Sequence, residues 1–308
     1  MPRCAIIDLG TNTFNLLIAE YSNNNYSILY KEELPVKLGE GGITKKIIAE
    51  APFQRGIEAL KKYKEIIHTF NTDNIHAFAT SAIRSTQNGQ EFVEQVFSET
   101  GIIINVIPGD EEAFYIYKGV RLAGMLDNEP SLIMDIGGGS TEFIIANNKN
   151  LLWKQSFDLG VSRLIQKFNP SDPVSNSDIT KLCEYFDEIL FPLFEQIKIF
   201  KPLQIIGCSG SFESFESMIQ QEINPEKDSD IKNKIELPDF FRLCETLVKS
   251  SEAERYKIKG LVTMRVDTIV FASIFVKHLI GKLHIKKLLV SHYALKEGVL
   301  SDIINSQH

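Results

Sequence analysis

The sequence predicts an α/β protein made of two copies of one domain plan, facing each other across a central cleft. Three observations predict it. Strand-like and helix-like segments alternate along all 308 residues, which implies sheets covered by helices. The stretch "DLGTNTFNLLIA" at 8–19 returns as "DIGGGSTEFIIA" at 135–146, so that Asp8 falls on Asp135, Gly10 on Gly137 and Thr13 on Ser140. The copies lie about 127 residues apart, a domain's length and far too long for a solenoid repeat.

Each copy reads as strand, tight turn, strand, turn, strand. An apolar run leads in ("CAIID", "SLIMD") and a third strand-like segment follows ("YSILYKEEL", "LLWKQSFDL"). After the first copy, apolar spacings of three and four predict helices over about 51–70, 89–100 and 110–123, with strands at "NIHAFAT" and "INVIP" between them. After the second copy come a long helix over about 177–199, a strand "LQIIG" and a helix from Ser211. A mostly helical stretch over about 237–280, a strand "KKLLVS" and a last helix from His292 complete the chain. The polar segment "INPEKDSDIKNKIE" (223–236) reads as an exposed loop.

Composition narrows the function classes. The hydrophobic fraction of 44% supports ordinary cores. No apolar run approaches the roughly 18 residues that span a bilayer, and the first ten residues do not read as a signal peptide. Cys4, Cys183, Cys208 and Cys244 form no C-x-x-C pair, so reduced thiols and a cytoplasmic location are expected. The six histidines show no metal-ligand spacing. A net charge of −7 argues against nucleic acid as a partner. It leaves room for a polyanionic substrate, because a few local cations and a metal can make a positive cleft on an acidic protein.

The glycine turns carry the chemistry. Glycine lets an anion approach the backbone closely, and successive N–H groups in such a turn form an anion-binding concavity. Gly137, Gly138 and Gly139 supply the amides, and Ser140 and Thr141 add hydroxyls. These groups suit a phosphate. The flanking acids repel one unless a cation lies between, and Mg²⁺ uses one or two carboxylates plus phosphate oxygens. Asp8, Asp135 and Glu142 are therefore the expected metal-side carboxylates. A third site, "GCSGS", puts Gly207, Ser209, Gly210 and Ser211 at a strand-to-helix junction, where a helix N-terminus favours an anion. Ser211 as a plain N-cap is the alternative there.

The segments "AIIDLGTNT", "FATSAIRST", "VIPGDEEA", "MDIGGGSTEF", "DLGVSRL", "GCSGS", "MRVDTI" and "YALKEGVL" occur in order from residue 5 to 300. Together they resemble the exopolyphosphatase and guanosine pentaphosphate phosphohydrolase (Ppx/GppA) family in its short, two-domain form. The resemblance implies a duplicated ribonuclease-H-like fold, that of the actin-like ATPases. The implied domains are 1–124 plus 294–308, the last helix packing back, and 125–293. It implies hydrolysis of the terminal phosphate of inorganic polyphosphate, or of guanosine pentaphosphate, with Mg²⁺ or Mn²⁺.

Within "GDEEA", Glu112 corresponds to the family's catalytic residue, which activates water. Thr11, Asn12, Thr13 and Arg84 are implied phosphate contacts. Arg265 and Asp267 match a family helix motif, with substrate contact and an ion pair between the domains as alternatives. A homodimer is implied by the family only. The family's longer members carry a further C-terminal region related to His-Asp phosphohydrolases, not found before His308 here. A sensor or switch that binds phosphate without turnover is the reading from a different class.

Overall fold

Two sheets share one strand plan in the computed structural model, which describes residues 1–22, 25–223 and 233–306. The first sheet contains β1 (Arg3–Leu9), β2 (Thr13–Ser22), β3 (Asn25–Pro35), β4 (Ile75–Ala79) and β5 (Ile104–Val106), in the order β3-β2-β1-β4-β5. The second contains β6 (Ser131–Ile136), β7 (Thr141–Ala146), β8 (Leu151–Phe157), β9 (Gln204–Cys208), β10 (Lys234–Ile235) and β11 (Lys287–Ser291). Its order, β8-β7-β6-β9-β11, repeats the first with β10 added at the edge. The first three strands of each sheet run antiparallel, β4, β5, β9 and β11 join parallel to the first, and edge strand β10 pairs antiparallel with β11. This is the duplicated ribonuclease-H-like architecture of actin-like ATPases.

Side-chain periodicity explains the strand positions. Central β6 and β7 are buried at every residue and read as near-continuous apolar runs. Edge strand β3 alternates exposed and half-buried positions, as one solvated face requires. The helices are α1 (Glu50–Thr69), α2 (Ser81–Arg84), α3 (Gly89–Thr100), α4 (Gly109–Leu122), α5 (Val161–Phe168), α6 (Asn176–Ile189), α7 (Phe191–Phe200), α8 (Ser209–Met218), α9 (Leu237–Lys249), α10 (Glu252–Arg255), α11 (Ile269–Leu283) and α12 (Leu295–Asn305).

Three cores result. One lies between the first sheet and α1 and α3, around Phe14, Tyr63 and Phe92. Another joins the second sheet to α6, α8, α9 and α11, with Phe186 and Phe275 stacked at 4.2 Å. The third lies between the sheets. It buries Ile6 and Leu17 from one sheet and Ile133, Ile144 and Ile206 from the other against Ile116, Val120, Val299 and Leu300 of α4 and α12. Both hairpins therefore present their turns beside the α4–α12 layer.

Several elements differ from expectation. The helix over 177–199 is two helices, broken at Leu190, because Pro192 lacks an amide hydrogen and so starts α7. The stretch 237–280 holds α9, α10, a short 3₁₀ turn (Thr263–Arg265) and only then α11. The helix expected from Ser211 begins at Ser209, with Cys208 at its N-cap. The last helix begins at Leu295, and the short helices α2 and α5 add to the expected elements. Most of the expected loop 223–236 lies outside the described residues; Lys234 and Ile235 pair with β11. The four cysteines are free. Among the described residues no helix is long and apolar enough to cross a membrane.

Candidate active site

The two hairpins turn in the same way. Gly10 N–H donates to the Thr13 carbonyl at 3.1 Å, and Gly137 N–H to the Ser140 carbonyl at 3.0 Å. At both glycines a Cβ would press on that carbonyl. Most of the turns' other carbonyls are occupied. Val36 and Lys37 N–H bond to the Asn12 carbonyl and Gly39 N–H to that of Thr11. Val161 bonds to Gly137, Ser162 to Gly138 and the Arg163 side chain to Gly139. Among the described residues, the amides of Thr11, Asn12, Gly138, Gly139 and Ser140 have no acceptor. Bare amides from both turns are what an anion-binding concavity requires.

The turns meet. A Cβ on Gly138 would stand 2.6 Å from Asn12 Oδ1, and one on Gly139 2.6 Å from both Thr11 Oγ1 and Ser81 Oγ. Ser162 Oγ–H donates to Asn12 Oδ1 at 2.7 Å across the gap. Ser81 is buried and its hydroxyl has no partner. The cavity at this junction measures about 150 Å³, room for on the order of ten waters and so for a phosphoryl group with its hydration.

Asp8, Asp135, Glu112 and Glu142 all line this cavity. Register places Asp8 opposite Asn15 and Asp135 opposite Glu142, so one hairpin offers an acid and an amide, the other two acids. Glu112, in the first turn of α4, is buried, and its Oε2 accepts from Arg84 Nη1 at 2.9 Å. Asp135 Oδ2 accepts from Ser209 Oγ at 2.8 Å, and Glu142 Oε1 from Ser156 Oγ at 2.7 Å. Ser209 holds a left-handed backbone, φ 66°, a strain of roughly 1–3 kcal/mol that tends to mark functional turns.

Burial raises all four carboxyls. Asp8 is pushed up to about 6, with the charge of Lys296 opposing the rise. Asp135 also reaches about 6, against the Ser209 hydrogen bond. Glu142 reaches about 7, from burial and then the charge of Asp135. Glu112 is raised well above the carboxylate range by burial and then by Glu142, with Arg84 opposing. Carboxylates so placed ionise together only with added positive charge. Among the described residues no three His, Cys, Asp or Glu side chains form a ready metal cage. An all-oxygen set completed by substrate and water suits Mg²⁺ better than a closed protein cage would.

A stability measurement checks this burial. A carboxyl raised from 3.8 to about 6 contributes stability that is complete below the ordinary value and lost as pH rises through about 6. Asp135→Asn mimics the protonated form. In chelator it is expected to melt a few degrees above wild type near pH 7.5, the gain vanishing towards pH 4.5. A gain that does not depend on pH contradicts the shift.

Thr13, Ser209, Gly210 and Ser211 also line the cavity. Three sequence-derived contacts do not. The Thr141 hydroxyl donates to the Leu159 carbonyl at 2.9 Å. A Cβ on Gly207 would run into the Phe212 ring. Arg84 is turned to Glu112 and the Ile107 carbonyl. Arg265 pairs with Glu33 at 2.7 Å and Lys37 with Asp267 at 2.7 Å, both between the lobes. His292 faces Glu216 at 3.1 Å and Glu213 at 3.6 Å. Its hydrogen bonds to Glu213 and then Glu216 raise it to about 10, which keeps it protonated and disqualifies it as a base near neutrality.

Paired lobes of one strand plan bring bare amides and carboxylates to one cavity, an arrangement that suits a phosphoryl group. The sequence pattern of the Ppx/GppA phosphatase family matches residues 17–307, and the chain belongs to that family. Among solved structures, an exopolyphosphatase from Cytophaga hutchinsonii superposes with a TM-score of 0.94 at 39% identity, covering 99% of this chain and 98% of that one. A bifunctional 3-dehydroquinate synthase/phosphatase of Fusobacterium nucleatum is 33% identical over 90% of this chain and 43% of its own length. A guanosine-5'-triphosphate,3'-diphosphate pyrophosphatase of Pseudoalteromonas translucida is 26% identical over 99% of this chain and 60% of its own. The chain thus spans about half the length of these two relatives.

Proposed function

We propose that the chain is an exopolyphosphatase, hydrolysing the terminal phosphate of inorganic polyphosphate. The observation that carries this reading is the convergence of two turns with unpaired amides on a cavity whose carboxylates include Asp8, Glu112, Asp135 and Glu142. Thr11, Asn12, Gly138, Gly139 and Ser140 receive the terminal phosphoryl oxygens through their amides. The α8 N-terminus at Ser209, Gly210 and Ser211 faces the chain that leaves. Asp8, Asp135 and Glu142 would hold Mg²⁺ or Mn²⁺, directly or through water. When bound, such an ion neutralises the phosphoryl oxygens and draws the neighbouring carboxyls into their ionised forms.

Glu112 then takes a proton from the attacking water. Arg84 holds that carboxylate in place rather than gripping phosphate itself. Phosphoryl transfer of this kind depends on positioning and electrostatics more than on covalent catalysis, and no protein nucleophile is required.

Ser81 supplies a check with opposite signs on stability and binding. Its hydroxyl is buried and unpaired, so Ser81→Ala removes an unsatisfied group and leaves the melting temperature unchanged or higher. The same change deletes a donor beside Thr11 and Gly139. KM for polyphosphate is expected to rise roughly three- to tenfold. An unchanged KM contradicts the placement.

Guanosine pentaphosphate is the second reading, favoured by the match to a guanosine-5'-triphosphate,3'-diphosphate pyrophosphatase over nearly the whole chain. Parallel phosphate-release assays on polyphosphate of several lengths and on guanosine pentaphosphate decide between them. A higher kcat/KM for polyphosphate supports the first reading. Tight binding of either without release points instead to a sensor.

A further inference from the structure

A lysine stands in the cavity without a partner. Lys296 lies in the first turn of α12 and lines the cavity with Asp8, Asp135 and Glu213. Among the described residues its ammonium has no ion pair and no hydrogen bond.

A structural role explains this position poorly. The first turn of a helix is the positive end of its dipole, where acids are stabilised and cations are not. Burial works against its charge, but the charges of Glu297, Asp8, Glu213 and Glu33 outweigh that and keep the ammonium protonated, although the acid next to it makes no hydrogen bond to it. Glu297 Oε1 accepts from Lys31 Nζ at 2.8 Å, and Oε2 from the Ala294 amide at 3.0 Å. A cation at the positive end of a helix, held by surrounding acids and not by a hydrogen bond, breaks a local rule of the kind that concentrates at functional sites.

Its anchor is rigid. A Cβ on Gly298 of α12 would run into the Tyr115 carbonyl of α4, and one on Gly119 of α4 into the Ala294 carbonyl. The two helix backbones are therefore in direct contact. Because α4 carries Glu112, one packed helix pair carries both side chains, the support a precise site needs. Lys296 also opposes the rise that burial imposes on both Asp8 and Asp135, so its charge is felt at both strand ends.

Carboxylates outnumber cations around the cavity, and a phosphate end adds more negative charge. The other cations there are engaged: Arg265 by Glu33, His292 by Glu216 and Glu213. We propose that Lys296 binds the terminal phosphoryl group of the substrate directly, as a cation supplied by the chain beside the acids offered to a divalent ion. The proposal rests on the phosphohydrolase reading and adds to it a binding residue carried by α12.

The test is binding of tripolyphosphate to the intact protein by calorimetry, in chelator and in Mg²⁺, beside steady-state phosphate release. Lys296→Gln is expected to weaken tripolyphosphate binding in chelator roughly ten- to a hundredfold, raise KM and leave the melting temperature within about a degree of wild type. Lys296→Arg keeps the charge and recovers most of the affinity. Unchanged affinity in Lys296→Gln overturns the proposal. So does an affinity loss in both variants that tracks a fall in melting temperature. Should wild type bind tripolyphosphate through Lys296 yet release no phosphate from any substrate, the hydrolase reading fails and the lysine site stands. Normal release with Lys296-independent binding gives the converse.

Discussion

Glu112→Gln is expected to lower the turnover number for phosphate release by about two to four orders of magnitude, with KM and melting temperature little changed. That range is the usual contribution of a positioned general base. The first turn of α4 brings Glu112 to the cavity, and Arg84 fixes its Oε2 at 2.9 Å. Glutamine keeps an acceptor for Arg84 but cannot take a proton. Alanine is the poorer probe, because it leaves the Arg84 guanidinium half-buried without its carboxylate, a destabilising change in its own right. Initial rates of phosphate release, read beside a thermal melt, decide the matter. A variant that folds normally and turns over like wild type rejects the role.

Removal of divalent metal carries the second large effect. With chelator in excess, phosphate release is expected to fall about a hundredfold or more, and added Mg²⁺ restores it. Four raised carboxyls around one cavity are the physical reason. Without a cation they hold protons or repel one another, and a phosphoryl group finds too little positive charge to balance its own. Asp135→Ala is expected to lose activity to a similar degree, and Mg²⁺ should not restore it. Full activity in chelator contradicts the metal reading while leaving Glu112 untouched. The same carboxyls set a pH limit: kcat/KM should decline as pH falls below about 7, where Glu142 and then Asp8 and Asp135 gain protons.

Much of this was legible in the sequence because it was written twice. The Asp-x-Gly hairpin at 8–19 and 135–146 announced two lobes, and the strand order bears out the shared plan down to the turn hydrogen bonds of Gly10 and Gly137. Asp8, Asp135, Glu142 and Glu112 do line one cavity. Partnerships between distant residues were not legible. Glu33 and Arg265 bridge the lobes across most of the chain, and nothing local in either stretch names the other. The pairing of Arg84 with Glu112 was not legible either, because a helix and a strand separate the two residues along the chain.

Local misreadings have local causes. Ser209 takes a left-handed backbone and starts α8 two residues early, a conformation that only the fold imposes on a serine. Gly207 read as part of an anion loop because a glycine cleared for a phosphate and one cleared for the Phe212 ring look alike in sequence. Ser81 and Lys296 lie inside the segments 78–86 and 293–300, where a lone serine or lysine carries little signal of its own. A lysine one residue ahead of the capping glutamate in a helix's first turn was the signal available for Lys296.

Hydrolysis of polyphosphate in ¹⁸O-labelled water, followed by mass spectrometry of the products, tests the placement of the terminal phosphoryl group most directly. If that group sits among the bare amides with Glu112 activating water against it, each released orthophosphate carries one ¹⁸O and the shortened chain carries none. Label left in the chain, or a chain cut internally with no orthophosphate released, would contradict it.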